Sequence, residues 1–543
     1  MAIREQPQPR RAPLLWLLLP FLLGLLLARF YPGAGNLLVF FPAFGLLLVL
    51  ALPWARNQET WWYALFPLAV FALSTIYHST LFERTSPQDT LPSELLPPRE
   101  AFVELEPVQV FQSPPYANRY SGLARNLEKG QESLWYYSAP GWDRTSPMLP
   151  GFSYKLRGVP QPIEQLIGSN DFLSYLQSRG VRMGIRAIHR PEDGYVVSPF
   201  EAGISLLRQQ AIQSLNAGQP DDSLLSRIYI ATVLGMRSGL TSEQKKVFRE
   251  TGTAHLFAIS GLHVGLIGLF LFMGTRFLPV REAVRVFSAL TILLCYVLLT
   301  GSAPSAVRAF LMIAFLWSAR CLGRDYRAES ALALSALAVL IYDPNQLFTL
   351  GFQLSYCVVF AILIYGVPLA EQWIEDTQRD PWLRVEEESQ RGGLRTWFLG
   401  SLAISVSAFL GSSPIIVSQF GILPISSIVL NLLLLPLATL LLAFGFLSLG
   451  FGFTPLSFLS PWINYGAWPV LDLMRSMVDF GAGVPFSHFS VHMYTNWMGP
   501  LWLSIWLVVA FWTSTQPVFR YRYLCFPIAL LLLALLGSSI PTT

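Results

Sequence analysis

The sequence predicts a polytopic α-helical membrane protein of about thirteen membrane segments, some broken or re-entrant, with a small OB-like β-barrel inserted as an external domain. Two observations predict the helical part. Apolar residues make up 53% of the 543-residue chain and charged residues only 13%, with a mean hydropathy of +0.47. These apolar residues fall in runs long enough to cross a hydrocarbon core of about 30 Å. A third observation predicts the barrel: between residues 83 and 200 the apolar runs stop and short alternating segments punctuated by prolines take over.

The runs lie near residues 13–29, 37–53, 61–82, 255–275, 286–301, 304–320, 328–342, 350–370, 396–412, 424–452, 461–480, 497–515 and 523–538. The tenth is long enough to be broken or re-entrant. Basic residues orient the runs, because loops rich in Lys and Arg stay on the cytoplasmic side. Arg4, Arg10 and Arg11 put the N-terminus inside. Strict alternation then leaves residues 83–253 outside. It also brings the Arg276/Arg281/Arg285, Arg320/Arg324/Arg327 and Arg520/Arg522 clusters inside and ends the chain outside. The first run lacks a small-residue cleavage site and reads as a retained segment. Cys295, Cys321, Cys357 and Cys525 all lie in or next to runs, so no disulfide staples the external region.

The expected domains are N-terminal membrane helices at 1–82, the external barrel at 83–200, an amphipathic helical connector at 201–253 and a membrane channel domain at 254–543. Within the external region, residues 101–111, 133–139, 152–159 and 181–189 read as strands, with a helix DFLSYLQSRG between the last two. Four or five short strands and one helix suit a small OB-like barrel, and a mixed open sheet is the alternative. Residues 83–253 carry 18 basic and 18 acidic residues, so the region as a whole offers a polyanion nothing. Locally the balance differs. From Arg144 to Arg190 there are seven basic residues against Glu164 and Asp171.

Trp135, Tyr136, Tyr137, Trp142, Phe152 and Tyr154 lie in or beside the same strands as these charges. Cations that track a backbone, with rings on which bases stack, are what binding of a single strand without sequence preference needs. Trp135, Tyr136, Tyr154, Lys155, Arg157, Arg182 and Arg186 are the candidate DNA contacts; a solvated face over an aromatic core is the other reading. In the connector, Leu206, Leu207, Ile212 and Leu215 recur at helical spacing. The stretch RIYIATVLGMR, with an arginine at each end, reads as a helix on the outer bilayer surface or packed over the bundle.

Polar groups recur where lipid is expected. Residues 251–265 read TGTAHLFAISGLHVG, and His255 and His263 share a face if the helix is continuous, being about two turns apart. Gly261 and Gly265 make a break easy, and non-helical backbone at membrane depth survives only inside protein or against water. The segment lines a passage or forms a packing face with hydrogen-bonded histidines. In GSAPSAVRAFLM, Pro304 and Ser305 suit a helix start. Arg308, one turn in, either meets an anion such as phosphate or snorkels to headgroups. Asp343 and Pro344 read as a turn and cap, after which Gln353 and Ser355 carry hydrogen-bonding groups into the membrane. Residues 412–436, interrupted by Pro414, Gly421 and Pro424, hold Gln419, Ser426, Ser427 and Asn431, and interrupted apolar segments with polar side chains point to a transport path.

No G-x-x-x-x-G-K-[ST] loop is present, so energy for transport must come from a partner. No H-x-H-x-D-H signature occurs either. His488 and His492 offer two metal ligands at i, i+4 spacing without a neighbouring third. No cofactor, metal or catalytic activity is expected, and a triad of Ser260, His263 and Asp343 is the enzymatic alternative by residue type alone. A secondary transporter of a small anionic or lipid-like solute is the other alternative.

LGMRSGLT followed by FRETGTAHLFAISGLHV, then PSAVRA, DPNQLFTLGFQLSY and SQFGILPISSIVLNLLLLP, resemble in order and spacing the ComEC family of bacterial competence proteins. The resemblance implies an inner-membrane channel that conducts single-stranded DNA into the cytoplasm during natural transformation. It places the protein among membrane lipids, with a cytoplasmic ATP-driven translocase and an external DNA receptor as partners. His255, Ser260, His263, Arg308, Gln353, Ser355, Gln419 and Asn431 fall in the matching segments and are the expected pore lining. Many members add a C-terminal metallo-β-lactamase-like domain. Only GSSIPTT follows the last run here, so either the sequence is a piece of a longer chain or degradation of the other strand falls to a separate nuclease.

Overall fold

In a computed structural model, the structure describes residues 100–493 apart from short stretches that include 113–118, 141–147 and 380–392. It also describes isolated positions near residues 18–25, 70, 528 and 538–539. The runs at 37–53 and 497–515, most of those at 13–29, 61–82 and 523–538, and Trp142, Arg144 and Arg190 lie outside the described residues.

Five strands close a barrel: β1 (Ala101–Gln112), β2 (Arg119–Asn126), β3 (Ser133–Pro140), β4 (Phe152–Pro162) and β5 (Met183–Ala187). Their order is β1-β2-β3-β5-β4, with β4 returning to β1 and β3 parallel to β5, the Greek-key circuit of an OB-like barrel. The open-sheet alternative is thereby excluded. β2 has no counterpart among the expected strands. RYSGLARN lacks β-branched residues, and its core-facing positions are filled by Tyr120, Gly122 and Ala124, the last two too small to give an alternating pattern. Inside the barrel Val103, Leu105, Tyr120, Tyr137, Leu156 and Ile185 form the core. Two short helices, α1 (Ile163–Ile167) and α2 (Asp171–Ser178), pack outside β2 and β3 through Leu123, Leu134 and Tyr136.

The Tyr137 hydroxyl is buried without a hydrogen-bond partner among the described residues, and burial pushes its pKa up. A buried donor left unsatisfied costs about 1–3 kcal/mol. Tyr137→Phe is therefore expected to leave the barrel as stable as before or more stable by about 1 kcal/mol. Denaturant unfolding followed by barrel tryptophan fluorescence measures this, and a loss of stability would refute it.

A two-residue strand β6 (Tyr195–Val196) pairs with the start of β4 and leads into α3 (Pro199–Asn216). Ser198 caps α3 by accepting from the Glu201 N–H, and Pro199 occupies the first turn. α3 buries Ala202, Ser205, Ala211, Ser214 and Leu215 and leaves Leu206 and Leu207 outward, so its packing face consists mostly of small residues. α4 (Leu224–Leu234) is buried along nearly its whole length in the largest core, against Leu430, Leu434, Leu441 and Leu471. Of the two positions expected for it, packing into the bundle holds. α5 (Ser242–Glu250) follows behind a reciprocal Thr241–Gln244 capping box.

The bundle continues with α6 (Gly261–Thr275), α7 (Glu282–Leu299), α8 (Pro304–Cys321), α9 (Ala328–Tyr342) and α10 (Leu350–Ala361). A π-helical segment at Ile362–Gly366 joins α10 to α11 (Val367–Arg379), and α12 (Leu394–Phe420), α13 (Ser426–Gly452) and α14 (Ser460–Gly483) complete it. Among the described residues four helices are long and apolar enough to cross a membrane, spanning Glu282–Leu299, Leu350–Ile374, Arg395–Phe420 and Ser426–Gly452.

Three expectations change. Pro414 does not interrupt its segment, because α12 runs through it and ends only at Gly421, which takes a left-handed φ of 63°. The tenth run is one continuous 27-residue helix with Pro436 inside it, neither broken nor re-entrant on itself. Alternation also fails across the bundle. Arg208 donates from Nε to the Leu299 carbonyl at 2.7 Å, and Gln210 donates to the Gly452 carbonyl at 3.3 Å. Two residues of helix rise only about 3 Å, so the C-terminal ends of α7 and α13 lie within side-chain reach of one stretch of α3. A hydrocarbon core is about 30 Å thick. The fifth and tenth runs therefore end on the same side, whereas strict alternation put them on opposite sides. An odd number of the runs between 304 and 452 stops short of a full crossing, and the external assignment of the C-terminus loses the alternation it stood on.

Candidate functional site

His255 and His263 do not share one helix. Residues 254–257 form a turn, and α6 begins only at Gly261. His255 is exposed, and its Nδ1 lies 3.1 Å from the Gly252 carbonyl. Gly252 has a φ of 69°, and a Cβ there would stand 2.7 Å from Ser427 and 3.0 Å from Pro424. Only glycine lets this turn seat against the connection between α12 and α13.

At the other end of the turn, Ser305 in the first turn of α8 donates its hydroxyl to the Ile259 carbonyl at 2.8 Å. Gly261 faces Ala309 on the same helix. Between them the Ser260 hydroxyl lies 2.7 Å from His263 Nδ1, and the Ser260 N–H donates to the same nitrogen at 3.4 Å. With Nδ1 accepting, the proton of a neutral ring sits on Nε2, which is buried and makes no hydrogen bond of normal geometry among the described residues.

Arg308 is only 3% exposed. Its Nη2 donates to the Gly351 carbonyl at 2.8 Å and to the Ser355 hydroxyl at 2.9 Å, while Nε has no partner among the described residues. Snorkelling is thus not its role. The start of α10 that receives it is set by Asp343, which caps the 3-10 turn Pro344–Phe348, and by Thr349, which accepts from the Phe352 N–H. Gly351 is exposed at this point, and a Cβ added there would meet the guanidinium at 3.4 Å and nothing nearer.

The four polar stretches are therefore joined by direct contacts: Gly252 to Pro424 and Ser427, Ile259 to Ser305, Gly261 to Ala309, and Arg308 to Gly351 and Ser355. The remaining candidates are placed less centrally. Gln353 bonds back to the Leu347 carbonyl at 3.1 Å. Gln419 is exposed beside the Gly421 turn, and Asn431 is half-buried with its carbonyl oxygen unbonded among the described residues. Ser305 and the three glycines were not among the expected lining. The PSAVRA motif contained Ser305, but a hydroxyl at a helix start reads as a cap until its partner is seen.

The enzymatic triad is not assembled. Both Asp343 carboxylate oxygens are engaged within its own turn, by Asn345 and Gln346. His488 and His492 lie in an extended segment, so they have no helical spacing, and no cluster of three metal-ligating side chains exists among the described residues.

On the barrel, Lys155, Arg157 and Arg186 are exposed, whereas Arg182 is half-buried and has partners. Arg157 pairs with Glu100 at 3.0 Å and lies over the Phe102 ring. The rings have packing roles. Tyr136 meets Phe172 edge-on at 5.9 Å, the Tyr154 hydroxyl accepts from the Leu149 N–H, and Trp135 leans on the barrel core while donating to Ser133. Among the described residues, the open rings nearby are Phe102 and Tyr195. Tyr195 donates to Glu104, which also accepts from Ser153, and these bonds hold the Glu104 carboxyl below its ordinary pKa and pin β6 to the barrel.

Residues 232–516 match the family model described as Competence protein. The chain is 31% identical over 300 residues to ComE operon protein 3 of Bacillus subtilis, covering 53% of this chain and 34% of that protein. It is 32% identical over 173 residues to competence protein ComA of Neisseria gonorrhoeae, covering 30% and 25%. It is also 31% identical over 173 residues to recombination protein 2 of Haemophilus influenzae, covering 30% and 22%. The match thus spans about a third or less of these relatives' length. No solved structure matches significantly.

Proposed function

Because this chain belongs to the Competence protein family, we propose that it forms the inner-membrane channel through which one DNA strand passes into the cytoplasm during natural transformation. The observation that carries this reading is the unbroken chain of contacts linking the four polar stretches around Arg308 and the His255 turn. A strand carries one phosphate per nucleotide and must shed hydration to pass. Sparse donors and one buried cation suit that passage, since dense positive charge would hold the strand too tightly to release it.

The barrel receives the strand on the outer side, with Lys155, Arg157, Arg182 and Arg186 meeting its backbone. A cytoplasmic ATP-driven translocase supplies the energy, and an external receptor delivers DNA. No catalytic step is assigned to this chain. The test is photo-crosslinking in transforming cells, with a photoreactive residue at position 255 or 351 and, as a control, at Phe287, which is 74% exposed on α7. Adducts with incoming DNA are expected at 255 and 351 and not at 287. Labelling of 287 alone, or none of the three during active uptake, would defeat the reading.

A further inference from the structure

Arg119 opens β2 and was not among the candidate contacts, yet three hydrogen bonds hold its side chain on the barrel surface. Nε donates to the Ser138 hydroxyl at 3.0 Å, and Nη2 donates to the Ser138 carbonyl at 3.1 Å and to the Ala187 carbonyl at 3.3 Å. The guanidinium therefore lies across β3 and β5. Ser138 is the register partner of Arg186 on β5, so the two arginines share one patch of the outer face. They are close enough that Arg186, after burial, depresses the pKa of Arg119.

Like charges placed together repel, and no carboxylate pairs with either guanidinium among the described residues. Arg125, further along β2, is by contrast answered by Glu106 at 3.7 Å. Helices α1 and α2 cover the other half of this face at Leu123, Leu134 and Tyr136, and among the described residues neither helix reaches the Arg119 end.

We propose that Arg119 and Arg186 clamp a single phosphodiester of a nucleic-acid strand on the outer β2–β3–β5 face. Arg119 is the pre-oriented half, since three acceptors fix its plane before a ligand arrives, and Arg186 is the exposed half that closes on it. The proposal rests on the reading of the barrel as the strand receiver and adds to it a defined subsite with a residue that composition did not single out.

The full chain in nanodiscs of neutral lipid, titrated with a short labelled oligodeoxythymidylate at several salt concentrations, tests it. Each phosphate neutralised contributes about 0.7 to the slope of log affinity against log salt for a single strand. Arg119→Gln, Arg186→Gln and the double variant are each expected to lose about 0.7, because both side chains serve one phosphate. Arg125→Gln should keep the wild-type slope. Unchanged slopes in all three variants overturn the clamp, as does an additive loss in the double. So does an unchanged DNA slope accompanied by lost binding to phosphatidylglycerol vesicles. Absence of any salt-dependent binding by the wild type would instead defeat the underlying reading of the barrel. Arg186 makes no hydrogen bond among the described residues, so its variant decides the matter even if Arg119→Gln fails to fold.

Discussion

Replacing Arg308 with glutamate is expected to abolish DNA uptake while leaving strand binding at the barrel unchanged. The guanidinium donates to the Gly351 carbonyl and the Ser355 hydroxyl in a site that is 3% exposed. A carboxylate there would face that carbonyl, acceptor against acceptor, with no cation to answer it. Disrupting a buried charge in this way costs about 3–5 kcal/mol. Transformation frequency should fall to the level of cells that lack the protein. Arg308→Lys keeps the charge but loses the planar fork, and uptake between the two extremes is expected. Normal uptake by the glutamate variant, inserted at wild-type level, would remove Arg308 from the path.

The second large effect belongs to Gly151. It has a φ of 85°, and a Cβ on it would stand 2.2 Å from the Ala202 backbone nitrogen, in the first turn of α3. Neither side can yield cheaply, because one is a strained backbone for any L-residue and the other is helix backbone. Gly151→Val should destabilise the junction between barrel and bundle by about 4 kcal/mol or more, beyond the range of ordinary substitutions. Limited proteolysis is the direct measurement: cleavage between residues 190 and 205 should become fast while α12 to α14 stay protected. Wild-type resistance in the variant would show that the junction is not where the two parts are held.

How much of this was legible in the sequence follows from how local each signal is. Strands rich in aromatic residues, such as SLWYYSAP, lie where alternation placed them, and the helix start at Pro304 and the cap at Asp343 depend only on neighbouring residues. RYSGLARN was illegible because its core-facing glycine and alanine are small. Pro414 misled for the opposite reason: a proline removes one N–H, but neighbouring helices can hold the helix together across the gap. The pairing of Ser260 with His263 is nearly local, whereas that of Arg308 with Ser355 joins residues 47 apart, and no spacing rule reaches so far. Arg119 looked ordinary until the barrel closed and brought Arg186 beside it.

The firm seat of the barrel on α3 has a mechanical side. Ser205 donates to the Pro150 carbonyl of the barrel, and a few residues further on Arg208 and Gln210 hold the ends of α7 and α13. A pull on the barrel would then travel through one short rod to two bundle helices at once.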